Sequence, residues 1–108
     1  MITYIGHSSY TIAETDVLLR KVRSDLPAST WTALYLTDAE PLGVPFGRDI
    51  SRDFGIEALC QFQLRLVDKD NAYKYYPAAI GALYLGFAKD RLVITWELDS
   101  IVPDPNAR

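Results

Sequence analysis

The sequence predicts an α+β domain: a mainly antiparallel, curved sheet of about five strands packed on one main N-terminal helix. Three observations carry this. Residues 11–26 have helical periodicity between clear start and stop signals. Residues 58–67 and 92–98 alternate apolar and polar side chains. The chain has 108 residues, of which 49% are hydrophobic and 23% charged, which suits a single globular domain with one core and argues against disorder. Residues 103–108, with Pro103 and Pro105, read as a short irregular tail.

Residues 2–6 (ITYIG) read as a short strand, and Gly6 to Tyr10 as the turn that follows. Thr11 and Glu14 then form a T-x-x-E capping box, which satisfies two backbone N–H groups at a helix start. Glu14 and Asp16 fall in the first turn and Arg20, Lys21 and Arg23 near the end, both favourable to the helix dipole. Ile12, Leu18, Leu19, Val22 and Leu26 supply the apolar stripe, and Pro27 stops the helix.

Residues 30–37 (TWTALYLT) are β-branched and aromatic and read as a central strand. Residues 38–48 hold two prolines and two glycines and read as a loop, with a short helix over 51–54 capped by Asp49. In residues 58–67, Cys60, Phe62, Leu64 and Leu66 point one way and Gln61, Gln63 and Arg65 the other, the pattern of a half-buried antiparallel strand. Asp68 to Asn71 reads as a charged turn. Residues 77–88 read either as a helix with Pro77 at its first position or as the approach to a hairpin whose first arm is 82–87; the hairpin is favoured, because Gly81 and Gly86 each cost about 1 kcal/mol inside a helix. A turn at 88–91 then leads into a strand over 92–98.

Composition and motifs exclude several functions. One cysteine and one histidine leave no disulfide, no Cys-rich zinc site and no multi-His metal site. A net charge of −3 argues against sequence-blind nucleic-acid binding. Gly81 and Gly86 have phosphate-loop spacing, but Phe87 and Ala88 stand where Lys and Ser or Thr are required. No cofactor and no metal are expected. No apolar run reaches the length of a membrane span and no signal peptide is visible, so the expected compartment is the cytoplasm.

His7, Ser8 and Cys60 are the catalytic candidates: a lone histidine before a helix start, with a hydroxyl or thiol as nucleophile. The run Ile5-Gly6-His7-Ser8, followed by an acidic-capped helix, resembles the opening of the DUF488 family over some 20 of the 108 residues. Asp38 and Glu40 form a loop carboxylate pair, and Arg48 and Arg52 sit among acids as a candidate anion site. Trp31, Tyr35, Tyr73, Tyr75, Tyr76 and Trp96 suit partner or ligand contact, because an aromatic ring buries well while a hydroxyl or indole N–H still bonds.

These residues favour a non-catalytic binding or assembly protein, homodimeric through an exposed sheet edge. A second reading is a small-molecule-binding or enzymatic domain. Its apolar pocket inside the curved sheet would be lined by Trp31, Tyr35, Phe62, Tyr84 and Trp96, with the 38–48 loop as lid. A third is an acidic inhibitor or immunity-type protein that blocks a basic partner. An enzyme is disfavoured, and neither a nucleic acid nor a membrane is an expected partner.

Overall fold

In the computed structural model, residues 2–42, 56–88, 90–96 and 100–102 are described. Strand β1 (Ile2–Ser8) runs into helix α1 (Ile12–Asp25), a short helix α2 (Thr30–Ala33), and strands β2 (Leu34–Leu36) and β3 (Glu40–Pro41). Strand β4 (Cys60–Leu66), helix α3 (Lys69–Gly86), β5 (Leu92–Trp96) and β6 (Ser100–Val102) follow. The six strands form one antiparallel sheet in the order β2-β4-β1-β5-β6, with β3 beside β2 along β4. The expected fold class is therefore the observed one. No helix among the described residues is long and apolar enough to cross a membrane.

Register assigns the two faces. Tyr4, Gly6 and Ser8 of β1 lie opposite Leu64, Phe62 and Cys60 of β4, and opposite Trp96, Ile94 and Leu92 of β5. This face packs on the helices: Leu19 and Val22 of α1 and Ala72, Ala79, Ile80 and Leu83 of α3 share one core with Phe62, Leu64, Leu66, Leu34, Leu36 and Ile94. Side chains alternate along a strand, so His7, Gln61, Gln63, Arg65, Tyr35, Val93 and Thr95 project from the other face.

The capping box forms as predicted: Glu14 N donates to Thr11 Oγ1 and Thr11 N donates to Glu14 Oε1. Several predicted elements are corrected. β1 continues through Ser8, where a turn from Gly6 to Tyr10 was expected, and β3 lies inside the expected loop of residues 38–48, paired with β4. The hairpin arm expected over 82–87 is the end of α3 with its C-cap, and the charged turn at 68–71 is that helix's N-cap and start, where Asp68 accepts from Asp70 N and Asn71 N. Ala72, Ala79, Ile80, Leu83 and Phe87 recur on one helical face and are all buried. Burying one Ile or Leu contributes about 1.5–3 kcal/mol, which exceeds the roughly 1 kcal/mol cost of a helical glycine. A further correction concerns residues 30–37, where a one-turn helix precedes a three-residue strand. Val67 N and Asp68 N both donate to Ala33 O, so the backbone at that turn fastens the β4–α3 junction rather than extending the sheet.

Tyr84 secures the far sheet edge. Its hydroxyl donates to Val102 O and accepts from Ile94 N, linking α3 to β5 and β6. Tyr84→Phe removes both bonds and is expected to lower stability by about 1–3 kcal/mol, read from the denaturant midpoint at unchanged slope.

Candidate functional site

Ser8, Thr15 and Cys60 are fully buried at the junction of β1, α1 and β4. Ser8 Oγ lies 2.9 Å from Thr15 Oγ1, and Thr15 Oγ1 lies 3.2 Å from Cys60 Sγ. Tyr10 N donates to Ser8 Oγ, and Cys60 Sγ donates to Tyr10 O. These hydroxyls and the thiol satisfy one another and fix the entry of the chain into α1. Burial pushes the Cys60 thiol up in pKa, away from the reactive thiolate.

His7 does not join this group. It follows Gly6 on the strand and so faces the opposite side of the sheet, where its Nε2 lies 3.1 Å from Thr95 Oγ1. The structure thus brings Ser8 and Cys60 together and turns His7, the base required to activate either, away from both. His7 is 1% exposed, and its Nδ1 has no hydrogen-bond partner among the described residues. Burial lowers its pKa from 6.5, because an imidazolium there loses its hydration. Above pH 6.5 the folded and unfolded forms are both neutral at this residue. Below it the unfolded chain takes up the proton first, so stability falls as pH drops from 6.5 toward the lower folded value. The expected result is a declining urea midpoint between pH 7.5 and pH 5, with a shallower decline in His7→Gln.

The aromatic candidates separate into distinct places. Trp31 is half-buried and packs on the core, and its Nε1 donates to Arg23 O at 2.9 Å. Tyr75 also packs on the core. Tyr35 is exposed on the face that bears His7, opposite Arg65. Phe62 lies on the helix-packed face, so Tyr35 and Phe62 are on opposite sides of the sheet. β2 and β5 are also three strand spacings apart, about 14 Å.

Tyr73 and Tyr76 do come together, with a residue the sequence reading left out, Tyr4, which also places Trp96 next to them in the sheet. Tyr4 stacks on Tyr76 with ring centroids 5.8 Å apart and planes at 19°, and Tyr73 meets Tyr76 edge-on at 6.1 Å. Trp96 lies directly across from Tyr4 in the β1–β5 pair. Burial, together with Tyr76 and Tyr73, raises the Tyr4 pKa, so its phenol stays neutral. Tyr73 is 61% exposed and Trp96 is 40% exposed. The signal for Tyr4 was its alternation with Gly6 and Ser8 on β1. Thr15, also missed, lies at helical spacing with Leu19 and Val22 on the buried stripe.

Asp38 accepts from Arg23 Nη2, and Glu40 accepts from Gln61 Nε2, so neither faces the other as a pair. Arg48 and Arg52, the helix expected over 51–54 and the tail 103–108 lie outside the described residues. Among the described residues, no three His, Cys, Asp or Glu side chains gather as a metal site.

The fold and these groups define a small α+β protein with an aromatic cluster toward one end of β1 and a sealed polar knot at the other. A family model described as CDI System Immunity Component matches residues 1–100, and the chain belongs to that family. No curated protein is significantly similar in sequence. Among solved structures, a chain of the CdiA-CT/CdiI toxin and immunity complex from Burkholderia pseudomallei superposes with a TM-score of 0.81. Identity is 19%, over 94% of this chain and 96% of that one, a likeness of fold.

The DUF488 resemblance stays confined to the chain's opening, whereas the family match spans residues 1–100. The expected homodimer is corrected by the same findings. The family is that of an immunity component, and the similar chain comes from a complex of a toxin with an immunity protein, a pairing of unlike chains. An open sheet edge can accept any strand or surface, so the argument from edges could not choose between a copy and a different partner. Of the three functional readings, the immunity-type one is supported, and the unspecified binding or assembly protein gives way to it.

Proposed function

We propose that this protein is an immunity protein that binds a CdiA-CT-type toxin domain and blocks it by covering its surface, with no chemistry of its own. The family match across residues 1–100 carries this reading. The separation of His7 from Ser8 and Cys60 supports a binding role over a catalytic one. Size is adequate: a standard interface takes about 800 Å² from each partner, roughly an eighth of the 6463 Å² exposed here. The net charge of −3 favours a basic partner, drawn in by long-range attraction that salt screens.

The test is protection. A CdiA-CT toxin domain from the strain that carries this chain is expressed alone and together with the protein. Growth restored by co-expression, with the two chains co-eluting on size exclusion, is the expected result. Undiminished toxicity with the protein soluble and abundant would overturn the reading.

A further inference from the structure

Resting on the immunity reading, we infer that the toxin domain docks on the aromatic surface formed by Tyr73, Tyr76, Tyr4 and Trp96. The rings of Tyr73, Tyr76 and Tyr4 are in contact from the outer side of α3 to β1, and Trp96 is the cross-strand neighbour of Tyr4 on β5. The outer two are the most open to solvent: Tyr73 projects from the first half of α3, and Trp96 ends β5. Tyr4 and Tyr76 lie between them, half-buried and packed on the core. The outer rings are therefore held by rigid elements before any partner arrives, which lowers the ordering cost of binding. Tyr and Trp presented in this way are the side chains that dominate interface energetics.

The immunity reading supplies the occupant, a toxin domain, and the chain's net charge of −3 favours a basic one. Asp70 is exposed one helical turn before Tyr73, and Asp68 caps the same helix. Hydrogen bonds from Asn71 and Asp70 favour the ionised form of Asp68. Lys69 and Lys74 balance these two acids in the sequence, so the attraction to a basic toxin is a property of the whole chain and not of this rim.

The experiment is binding of the purified CdiA-CT domain to the full-length protein by calorimetry, with a far-ultraviolet spectrum and a thermal melt for each variant. Tyr73→Ala is expected to weaken binding at least tenfold while the melt stays close to that of the wild type. Trp96→Ala is expected to do the same, and Trp96→Phe, which keeps a ring in place, to recover much of the loss. Asp70→Lys is expected to slow association and flatten its salt dependence. Leu85→Ala, 77% exposed near the other end of α3, and Tyr35→Ala, on the opposite sheet face, are expected to bind as the wild type does. Wild-type binding that survives both Tyr73→Ala and Trp96→Ala overturns the surface and leaves the immunity reading standing. Loss confined to Tyr35→Ala moves the interface to the other face. Absence of any wild-type binding refutes the immunity reading and the docking surface with it.

Discussion

Phe62→Ala is expected to lower stability by about 3–5 kcal/mol, which for a domain of this size is a large fraction of the total. Phe62 is 1% exposed at the middle of β4, directly opposite Gly6 of β1. Its ring stacks on Phe87 at 5.8 Å, and Phe87 in turn meets Tyr10 at 6.0 Å. The ring also lies over Gly6: a Cβ added there would sit 2.3 Å from Phe62 Cζ. Gly6 and Phe62 are thus one packing unit, a missing side chain on one strand filled by a ring from the next. Gly6→Ala pushes the ring into Phe87 and is expected to cost about 1–3 kcal/mol. In the Phe62→Ala background the added methyl enters vacated space, so its cost there is expected to vanish or change sign. Urea titrations of the four proteins in this cycle measure the coupling. Costs that simply add would show that Gly6 and Phe62 do not share this space.

Legibility of the fold followed the reach of the interactions. α1 was legible because its signals are local: the Thr11–Glu14 box, the apolar stripe and Pro27 all lie within one helix length. β4 was legible because its alternation of Cys60, Phe62, Leu64 and Leu66 with Gln61, Gln63 and Arg65 reports a sheet with a helix-packed face and a more open one. α3 was not, because Gly81 and Gly86 weaken a helix locally and Pro77, which suits a helix start, stands in this helix's interior. What overrides them is contact with α1 and the sheet, made across long sequence separations. Residues 30–33 failed for a related reason: a β-branched, aromatic run describes a strand by propensity, but here the backbone is used to cap other elements. At the surface, Tyr73, Tyr76 and Trp96 were legible as residue types. Their assembly was not, since it depends on Tyr4, whose place beside Trp96 follows only from the β1–β5 register. Partner identity left no local pattern at all, and an acidic net charge of −3 only pointed toward a basic partner.

Thr15→Val is expected to destabilise the protein by about 1–3 kcal/mol although it preserves shape, because it strips a hydroxyl from between two fully buried polar groups. Thr15 Oγ1 lies within bonding distance of both Ser8 Oγ and Cys60 Sγ. Removing it leaves Ser8 with the Tyr10 N–H and Cys60 with Tyr10 O, each one partner short. Ser8→Ala alone strands the Tyr10 N–H and one bond of Thr15. The double variant Ser8→Ala/Thr15→Val removes both ends of the Ser8–Thr15 bond and is expected to cost less than the sum of the singles, as for any buried pair whose halves are worse apart than absent together. Cys60 reports on the same knot. Enclosed and with its pKa raised, it is expected to resist a thiol reagent such as DTNB in the native wild type and to react at the rate of global opening. In Thr15→Val that rate should rise in step with the lost stability. Rapid reaction of the native wild type at neutral pH would contradict the sealed arrangement and return Cys60 to the list of nucleophiles. Slow reaction places Ser8 and Cys60 among the residues that hold α1 against the sheet, at the opposite end of β1 from Tyr4 and its neighbour Trp96.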